Sequence, residues 1–536
     1  MIKKINTYWL GFIGSLVVLS ACYKDTGNYL YNDVNTISIK LDSTAYNIVM
    51  GQTLKIKPVL QLSMDSVAGS YDTTRYGYKW MIRDTTGGGS KEIVIATTRD
   101  LDIPITLKEA ISGPMSGYKL YYYAKDKRTG LQSLATAKLS VTTNVFEGWL
   151  ALCDVNGSSR LDMAMCSKGN YLNNLVPNVL GMVGSGLDMS GSPVGVTYCT
   201  KPSMLTSYSF NGIYITTSKG TNRIDPNYFL WTPNMNLRYD FTSDIPDNFA
   251  ADVIVGTGGP VNYLHTPDGN LYSYNSAFPQ VKWGPQVNLV QGEPDAFKCS
   301  PFIATDATSL NAGIGGALLF DVTQKRFLSY LPAYGYNPNP LFSKPLPAFT
   351  GAALNYQNVG MDLVYMVEVG VYNGGEAFAV LKNATTSNHY LARIAFGRSS
   401  SPTYALNHYS QITGTDIDKA ERFAVNPDFG YLFYSVGSKV YEYDMGLKKS
   451  FLMQDYGNKK ITVLKFHNFH SNNYNTPAAG YQKLNNKLIV ATYDPALPNS
   501  SGSLDLWSVP VLNAPLVSFG SISGFGKIQS LTYRER

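Results

Sequence analysis

Two of the five histidines lie close together, and they are the first residues whose type and spacing suggest metal chemistry. His467 and His470 are three residues apart in the stretch KFHNFHSNNYN. Two imidazoles at this spacing can bind a transition metal, but no carboxylate or cysteine close in sequence completes a set of ligands. We therefore predict a polar loop without a metal, and we expect a chelator to leave ligand binding unchanged.

Other patterns that could support catalysis are incomplete. The stretch DVNGSS at 154–159 has oxygens at calcium-loop spacing, but it occupies a predicted hairpin turn, and Met165 stands where an EF-hand has its glutamate. The glycine-rich stretch at 256–260 precedes no predicted helix, so it lacks the dipole of a phosphate site. We predict no catalytic residue and no cofactor, although carboxylates from distant strands could still meet as a glycosidase pair.

Aromatic loops are the stronger candidates for ligand binding. Tyr334 and Tyr336 lie in the stretch YLPAYGYNPNP, and Tyr474 follows the histidine pair. Tyrosine and asparagine together offer flat apolar area and hydrogen bonds to a sugar ring or a peptide backbone. The sequence predicts a ligand-binding surface of Tyr334, Tyr336, His467, His470 and Tyr474. The alternative is that these side chains only pack on one another.

The N-terminal pattern is typical of an export signal. Lys3 and Lys4 precede an apolar stretch that is too short to span a bilayer. The stretch LSAC ending at Cys22 resembles the lipobox of bacterial lipoproteins, which implies cleavage after residue 21 and lipidation of Cys22. Residues 22–33 are then a lipidated tether, and Lys24-Asp25 resembles the surface-export signal of Bacteroidota lipoproteins. The alternatives are an ordinary signal peptide and a lipoprotein that faces the periplasm.

Composition favours short strands and excludes nucleic acid as a partner. Aromatic residues make up 13% of the chain and charged residues only 15%, and the net charge of +6 is not concentrated in any basic run. Apart from Cys22, the cysteines are Cys153, Cys166, Cys199 and Cys299, which form no CxxC pair. They are either small buried side chains or, for Cys153 and Cys166, the two halves of a disulfide.

Residues 34–145 contain seven short alternating segments, which predict a β-sandwich of the immunoglobulin type with Trp80 in its core. The lipobox, Trp80 and the stretch YYYAKDKRTG at 121–130 resemble the PKD-like family lipoproteins of Bacteroidota. Four sites in this domain are similar to the Asp-Ser/Thr sequon for O-glycosylation in that phylum. They are Ser43, Ser66, Thr73 and Thr85. Ordinary turn chemistry is the alternative explanation.

Residues 146–536 repeat a pair of strands at intervals of about 55 residues, which is typical of propeller blades. Seven such hairpins predict a seven-bladed β-propeller. The first unit lacks an inner strand, and residues 527–534 form a surplus strand after the seventh. We predict that this strand fills the vacancy and closes the ring. An array of β-sandwiches is the alternative.

The resemblance implies a lipoprotein anchored in the outer membrane and facing the cell exterior. It would be an accessory of a SusC/SusD-like, TonB-dependent nutrient-uptake complex, and it would bind glycan or peptide without catalysis. Two other functions stay open: a propeller hydrolase or lyase that acts on a surface polymer, and a structural or adhesion protein.

Overall fold

The computed structural model describes most of the chain from residue 34 to residue 535. The described residues are 34–49, 52–84, 92–105, 115–142, 147–167, 170–199, 212–241, 245–246, 248–256, 261–275, 283–284, 286–305, 316–332, 342–348, 353–369, 375–396, 404–467, 469 and 483–535. They are almost all strands and turns, which confirms the predicted all-β class. None of the helices among them has the length and apolar character needed to cross a membrane.

The N-terminal region forms nine strands. They are β1 (Ile37–Lys40), β2 (Ala45–Val49), β3 (Thr53–Ile56), β4 (Val59–Leu62), β5 (Tyr76–Asp84), β6 (Glu92–Ala96), β7 (Leu101–Pro104), β8 (Met115–Asp126) and β9 (Gln132–Thr142). A five-stranded sheet has the order β2-β9-β8-β5-β6, and the pairs β1-β4 and β3-β7 form two further sheets. Strands β2 and β9 are parallel, whereas the other pairs are antiparallel.

Trp80 anchors the core of this domain, as the sequence predicts. Its side chain is fully buried, its ring centroid lies 4.2 Å from that of Tyr122, and its indole N–H donates to the Thr98 carbonyl over 3.0 Å. The hydrogen bond satisfies the one polar atom of the indole, so the ring is buried without an unpaired donor.

A cluster of charged and polar side chains closes one end of the sandwich. Arg75 binds both oxygens of Asp65 at 2.7 Å, and one of its nitrogens lies 3.6 Å from Asp126. The buried Asn35 amide donates to Asp65 over 3.0 Å, to the Tyr76 hydroxyl over 2.6 Å and to Asp126 over 3.3 Å. We call these five residues the sandwich cluster. In it, carboxylates and their donors face one another.

The region after residue 146, called here the repeat region, forms seven small antiparallel sheets in the described residues. The first three contain β10 (Gly148–Val155), β11 (Ser158–Ser167) and β12 (Asn170–Val176), then β13 (Pro193–Cys199), β14 (Gly212–Thr217) and β15 (Gly220–Ile224), then β16 (Val253–Gly256), β17 (Val261–His265) and β18 (Leu271–Asn275). A short helix, α1 (Val179–Val183), lies between β12 and β13.

The other four sheets have four strands each. They contain β19 (Ala304–Thr305), β20 (Ala317–Asp321), β21 (Arg326–Tyr330) and β22 (Lys344–Pro345), then β23 (Asp362–Val369), β24 (Glu376–Lys382), β25 (His389–Phe396) and β26 (Tyr404–Gln411), then β27 (Arg422–Val425), β28 (Leu432–Val436), β29 (Lys439–Asp444) and β30 (Lys449–Asp455), then β31 (Lys460–Lys465), β32 (Lys487–Tyr493), β33 (Gly502–Ser508) and β34 (Val517–Phe525). Each of the four follows its strands in chain order.

The last strand, β35 (Lys527–Arg534), joins the first sheet rather than the last. It pairs antiparallel with β10, so that the first sheet has the order β12-β11-β10-β35. It also contacts β31 of the seventh sheet and β13 of the second. The C-terminal strand therefore lies between the beginning and the end of the repeat region.

Buried side chains fill the spaces between successive sheets. Separate clusters join sheets 2 and 3, 3 and 4, 4 and 5, 5 and 6, and 6 and 7. One more joins sheet 7 to sheet 1, and a larger one holds sheets 1 and 2 together with the sandwich core. Strand β10 shows how the sequence achieves this: Trp149 and Ala151 enter the cluster with sheet 7, while Leu150 and Leu152 enter the other. A strand buried on both faces needs a continuous apolar run.

Tight turns fix the strand pairing within the sheets. In the turn between β10 and β11, Asn156 and Gly157 both have positive φ angles, of 53° and 79°. Two central residues with positive φ form the type I′ turn that suits a two-residue hairpin. The Asp154 carboxylate accepts the Gly157 amide over 2.9 Å, so the stretch with calcium-like spacing is a hairpin turn.

Candidate functional site

A cavity of about 300 Å³ lies among the first strands of the sheets in the repeat region. We call β13, β16, β19, β23, β27, β31 and β35 the inner strands, because each forms one edge of its sheet. Residues on or next to six of them, all except β27, line the cavity. The cavity is therefore built by several sheets together and by no single hairpin.

Lys465, the last residue of β31, contributes an ammonium group to the cavity. Its Nζ donates to the Leu531 carbonyl of β35 over 2.6 Å, which leaves two N–H groups for other acceptors. The surrounding protein strips water from the ammonium and thereby lowers the pKa of Lys465 to about 8. Part of its side chain still faces the cavity, where water or a ligand can reach it.

Two hydroxyl groups flank the carbonyl that Lys465 contacts. Ser530 Oγ accepts the Val196 amide over 3.1 Å, and Thr532 Oγ1 accepts the Tyr198 amide over 3.2 Å. Both residues line the cavity. Because each hydroxyl oxygen accepts from the backbone, its own hydrogen can be directed to a ligand. Ser530, Thr532 and Lys465 thus form a group of donors on one wall, called here the donor wall.

Two carboxylates also line the cavity. Glu368 of β23 and Glu535, just after β35, are each only 4% exposed. The Tyr198 hydroxyl donates to the Glu535 backbone carbonyl over 3.1 Å and so ties the end of the chain to β13. The cavity therefore combines one ammonium, two carboxylates and several hydroxyls.

His467 lines the cavity and also packs against aromatic side chains. Its ring packs edge-on against Trp149 and Phe469, with centroids 5.3 Å and 4.7 Å apart. These contacts belong to the seam between sheets 7 and 1. His467 thus has a packing role there, as the alternative interpretation of the aromatic loops states.

The other residues of the predicted ligand-binding surface, Tyr334, Tyr336, His470 and Tyr474, lie outside the described residues. The structure does describe the strands on either side of them. The first pair falls between β21 and β22, and the second between β31 and β32. In sheets of alternating strand direction, first-to-second and third-to-fourth connections leave from the same end. The prediction that both loops share one face is consistent with this topology.

Three of the four predicted glycosylation sites lie in the described residues, and each takes part in a hydrogen bond. Ser43 Oγ donates to the Ala45 carbonyl over 2.6 Å, and Ser66 caps a short 3₁₀ helix (Val67–Tyr71). The carbonyl of the exposed Thr73 accepts the Lys127 ammonium over 2.7 Å. Thr85 and the lipidation candidate Cys22 lie outside the described residues.

The four described cysteines are free thiols with buried side chains. Cys153, Cys166 and Cys199 belong to the clusters between sheets, as does Cys299. Burial raises the pKa of all four thiols. They are therefore the small apolar side chains of the first interpretation, and the Cys153–Cys166 disulfide is not formed. Within the described ranges, no group of three or more His, Cys, Asp or Glu residues is arranged to hold a metal ion.

Sequence reasoning missed the residues of the cavity, although a signal was present. Lys465 and Glu368 are charged residues near the C-terminal ends of the largely apolar inner strands β31 and β23. Burying a charged side chain in such a strand is unfavourable, so its presence indicates a partner or a functional site. Nothing in the spacing, however, shows that two strands so far apart in sequence face one cavity.

Comparison with family models gives one match. Residues 22–193 match the PKD-like family, which supports the PKD-like assignment of the N-terminal region. The match covers less than half of the chain, and it runs beyond the sandwich through the first three strands of the repeat region. No curated protein shows significant similarity to the sequence.

Several solved structures are similar in outline. A quinoprotein alcohol dehydrogenase-like protein from Bacteroides thetaiotaomicron is 10% identical, with a TM-score of 0.43 and coverage of 92% of this chain and 97% of that one. A Lactobacillus plantarum protein is 10% identical, with a TM-score of 0.40 and coverage of 72% and 99%. The Cps50 (Swd1) β-propeller domain of Myceliophteria thermophila is 8% identical, with a TM-score of 0.36 and coverage of 68% and 100%. At such scores we infer neither fold detail nor activity from them.

Proposed function

We propose that this chain is a ligand-binding lipoprotein in which a PKD-like sandwich carries a seven-bladed β-propeller. The seven sheets of the repeat region are its blades, and β35 closes the ring by pairing with β10. Support for closure comes from the buried clusters, which join each sheet to the next and the seventh to the first. A ring of this kind leaves no open seam between its first and last blades.

The chain is anchored through Cys22 in the outer membrane and faces the cell exterior. There it serves a SusC/SusD-like nutrient-uptake complex as a binding accessory for glycan or peptide. This part of the proposal depends on the lipobox-like stretch before Cys22 and on the resemblance to PKD-like lipoproteins. Glycans on Ser43, Ser66, Thr73 or Thr85 would keep the sandwich solvated without creating an activity.

The observation that carries the binding function is the cavity. Inner strands of six sheets contribute to its lining, and Lys465, Ser530, Thr532 and Glu368 place polar groups on its walls. A concave site with a few converging polar groups is the usual form of a small-molecule site. Binding without turnover is the function that we propose for this geometry.

The test combines binding and turnover on the full chain, purified in detergent. We expect it to bind members of a glycan array or a peptide library and to release no product from the ligands that it binds. Cleavage that Glu368→Gln abolishes would replace the binding proposal with the hydrolase or lyase alternative. Failure to bind any glycan or peptide would contradict the proposal and favour an adhesion role.

The anchor has a separate test. Cys22→Ala should move the protein from the membrane fraction to the soluble fraction, because no other apolar stretch of membrane length exists in the sequence after residue 22. Retention of the variant in membranes washed with high salt would show that the anchor assignment is wrong.

A further inference from the structure

We propose that the cavity is a subsite for a single neutral sugar ring, held by the donor wall of Lys465, Ser530 and Thr532. The inference depends on the proposed binding function and makes it specific. It assigns a ligand class to residues that the sequence-based surface of Tyr334, Tyr336, His470 and Tyr474 does not include.

The size of the cavity limits the ligand. Its volume of about 300 Å³ is at the small end of the range for ligand pockets. Residues from six sheets converge on this volume, which is too small for an extended peptide to place successive residues along it. One ring, free or at the end of an oligosaccharide, fits these limits better than a peptide segment.

The donor wall suits a ligand with several oxygen acceptors. Lys465 Nζ lies 2.6 Å from the Leu531 carbonyl, and Ser530 and Thr532 are the residues on either side of Leu531. The two hydroxyl oxygens already accept backbone amides, and each hydroxyl hydrogen can still be donated. One ammonium and two hydroxyl donors can bind different oxygens of one pyranose.

Acidic side chains offer a sugar a second kind of partner. Glu368 and Glu535 both line the cavity, and each is only 4% exposed. A sugar hydroxyl can accept from the donor wall and also donate to a carboxyl or carbonyl oxygen, whereas a ligand carboxylate can only accept.

Apolar side chains complete the site. Phe466 follows Lys465 on the cavity wall, and Ile254, Ile303 and Val367 line it from other inner strands. Pyranose rings carry C–H groups that pack on such apolar surfaces, while their hydroxyls point to polar walls. The mixture of polar and apolar walls is what a sugar ring requires and what a simple ion does not.

The experiment measures binding of single compounds to the full chain in detergent by ligand-observed NMR and calorimetry. The probes are neutral hexoses, pentoses and N-acetylhexosamines, with glucuronate, an amino acid and a short peptide as comparisons. We expect at least one neutral sugar to bind. Lys465→Met and Thr532→Val should each weaken that binding tenfold or more. Lys460→Met removes an exposed lysine from the same strand and should leave the affinity within twofold.

The outcomes separate this inference from the proposed function. If longer glycans or peptides bind and Lys465→Met and Thr532→Val leave their affinity unchanged, the binding function stands and the subsite is wrong. Preference for glucuronate, the amino acid or the peptide over every neutral sugar would also overturn the subsite. If nothing binds, both proposals fail. Unfolding curves that match the wild type for Thr532→Val exclude misfolding as the cause of a lost affinity.

Discussion

The sandwich cluster and the cavity contain similar polar groups, but they use them in opposite ways. In the sandwich cluster, Arg75 donates to Asp65, and Asn35 donates to both Asp65 and Asp126. In the cavity, Lys465 donates one N–H to the Leu531 carbonyl. The residue also lines a volume of about 300 Å³. Groups that satisfy one another stabilise a fold, whereas groups that face a void are available to a ligand.

The same contrast is visible in the pKa values. Burial alone would raise the pKa of Asp126, but the Arg128 amide, the Asn35 amide, the Thr129 amide and the Arg75 charge outweigh it and lower the value. At Lys465 desolvation by burial lowers the pKa to about 8. The carboxylate of the sandwich is therefore stabilised as an ion, and the ammonium of the cavity is destabilised as one.

The largest expected effect follows from removing the strand that closes the repeat region. Deletion of residues 527–536 removes three buried apolar side chains, those of Ile528, Leu531 and Tyr533. At about 2 kcal/mol for each apolar side chain, the repeat region should lose about 6 kcal/mol of stability. Calorimetry measures this as a large fall in the Tm of the repeat-region transition.

A ten-residue deletion of 471–480, between β31 and β32, is the control of equal length. It removes none of the described strands, so the Tm should fall by much less. Equal melting temperatures for the wild type and the 527–536 deletion would rule out closure by β35.

The next largest effect tests the sandwich cluster. Asp126→Ala removes a fully buried carboxylate that accepts the Asn35 amide and the Arg128 backbone amide and lies 3.6 Å from Arg75, so it should destabilise the sandwich by about 4 kcal/mol. Asp102→Ala removes the carboxylate of an exposed ion pair with Lys55 and should change stability by less than about 0.5 kcal/mol. Urea unfolding measures both. Similar losses for the two variants would mean that the cluster contributes no more than a surface pair.

Glu442 is a third case, a buried carboxyl to which the described residues supply no hydrogen-bond partner. Among the described residues no donor reaches either of its oxygens, and it lies between Phe433 and Phe451 in the sheet. Desolvation, followed by the nearby charge of Asp444, raises its pKa to about 8. The folded protein then holds a proton that the unfolded chain releases above its ordinary pKa of 4.5, so stability falls as the pH rises from 4.5 to 8.

Glu442→Gln should remove this loss of stability at neutral pH. At pH 7 the variant should be more stable than the wild type by about 3 kcal/mol, and at pH 4 the two should be equal, because both states of the wild type are then protonated. Urea unfolding at the two pH values measures the difference. A gain of the same size at pH 4 would mean that packing, and not protonation, is responsible. Glu376→Gln is the matched control and should destabilise, because Glu376 is bound by Arg393 and Asn407 at 2.7 Å.

The smallest expected effect has the opposite sign to that of Asp126→Ala. Lys465→Met should stabilise the repeat region by about 1 kcal/mol at pH 7, because it removes a desolvated charge and loses only one hydrogen bond, to Leu531. The advantage should vanish as the pH rises from 8 to 10.5, where the folded wild type releases the proton before the unfolded chain does. Destabilisation at pH 7 would place Lys465 among the structural charges.

The sequence predicted what depends on neighbours along the chain. The hairpin at 148–166 follows from its apolar run and its Asn-Gly turn, and Trp80 in the sandwich core follows from its alternating strand. Both are local patterns, and local patterns are what periodicity reports. The pairing of β2 with β9, which is parallel and joins distant segments, carries no such signal.

The sequence did not predict the candidate site, because the site also depends on contacts between distant segments. Glu368 and Lys465 share a cavity only because the intervening sheets stack in a particular order. Aromatic composition drew attention to the loop after β31, yet His467 in that loop packs on Trp149 of another sheet. Composition shows which residues could bind a ligand, and only the packing of the sheets shows which of them face a void.

The most direct test of the cavity as a sugar subsite is a crystal structure of the chain with the neutral sugar that binds best. We predict a pyranose ring inside the cavity, with one of its oxygens about 3 Å from Lys465 Nζ and others near the hydroxyls of Ser530 and Thr532. A sugar bound only outside the inner strands, with none in the cavity, would contradict this account.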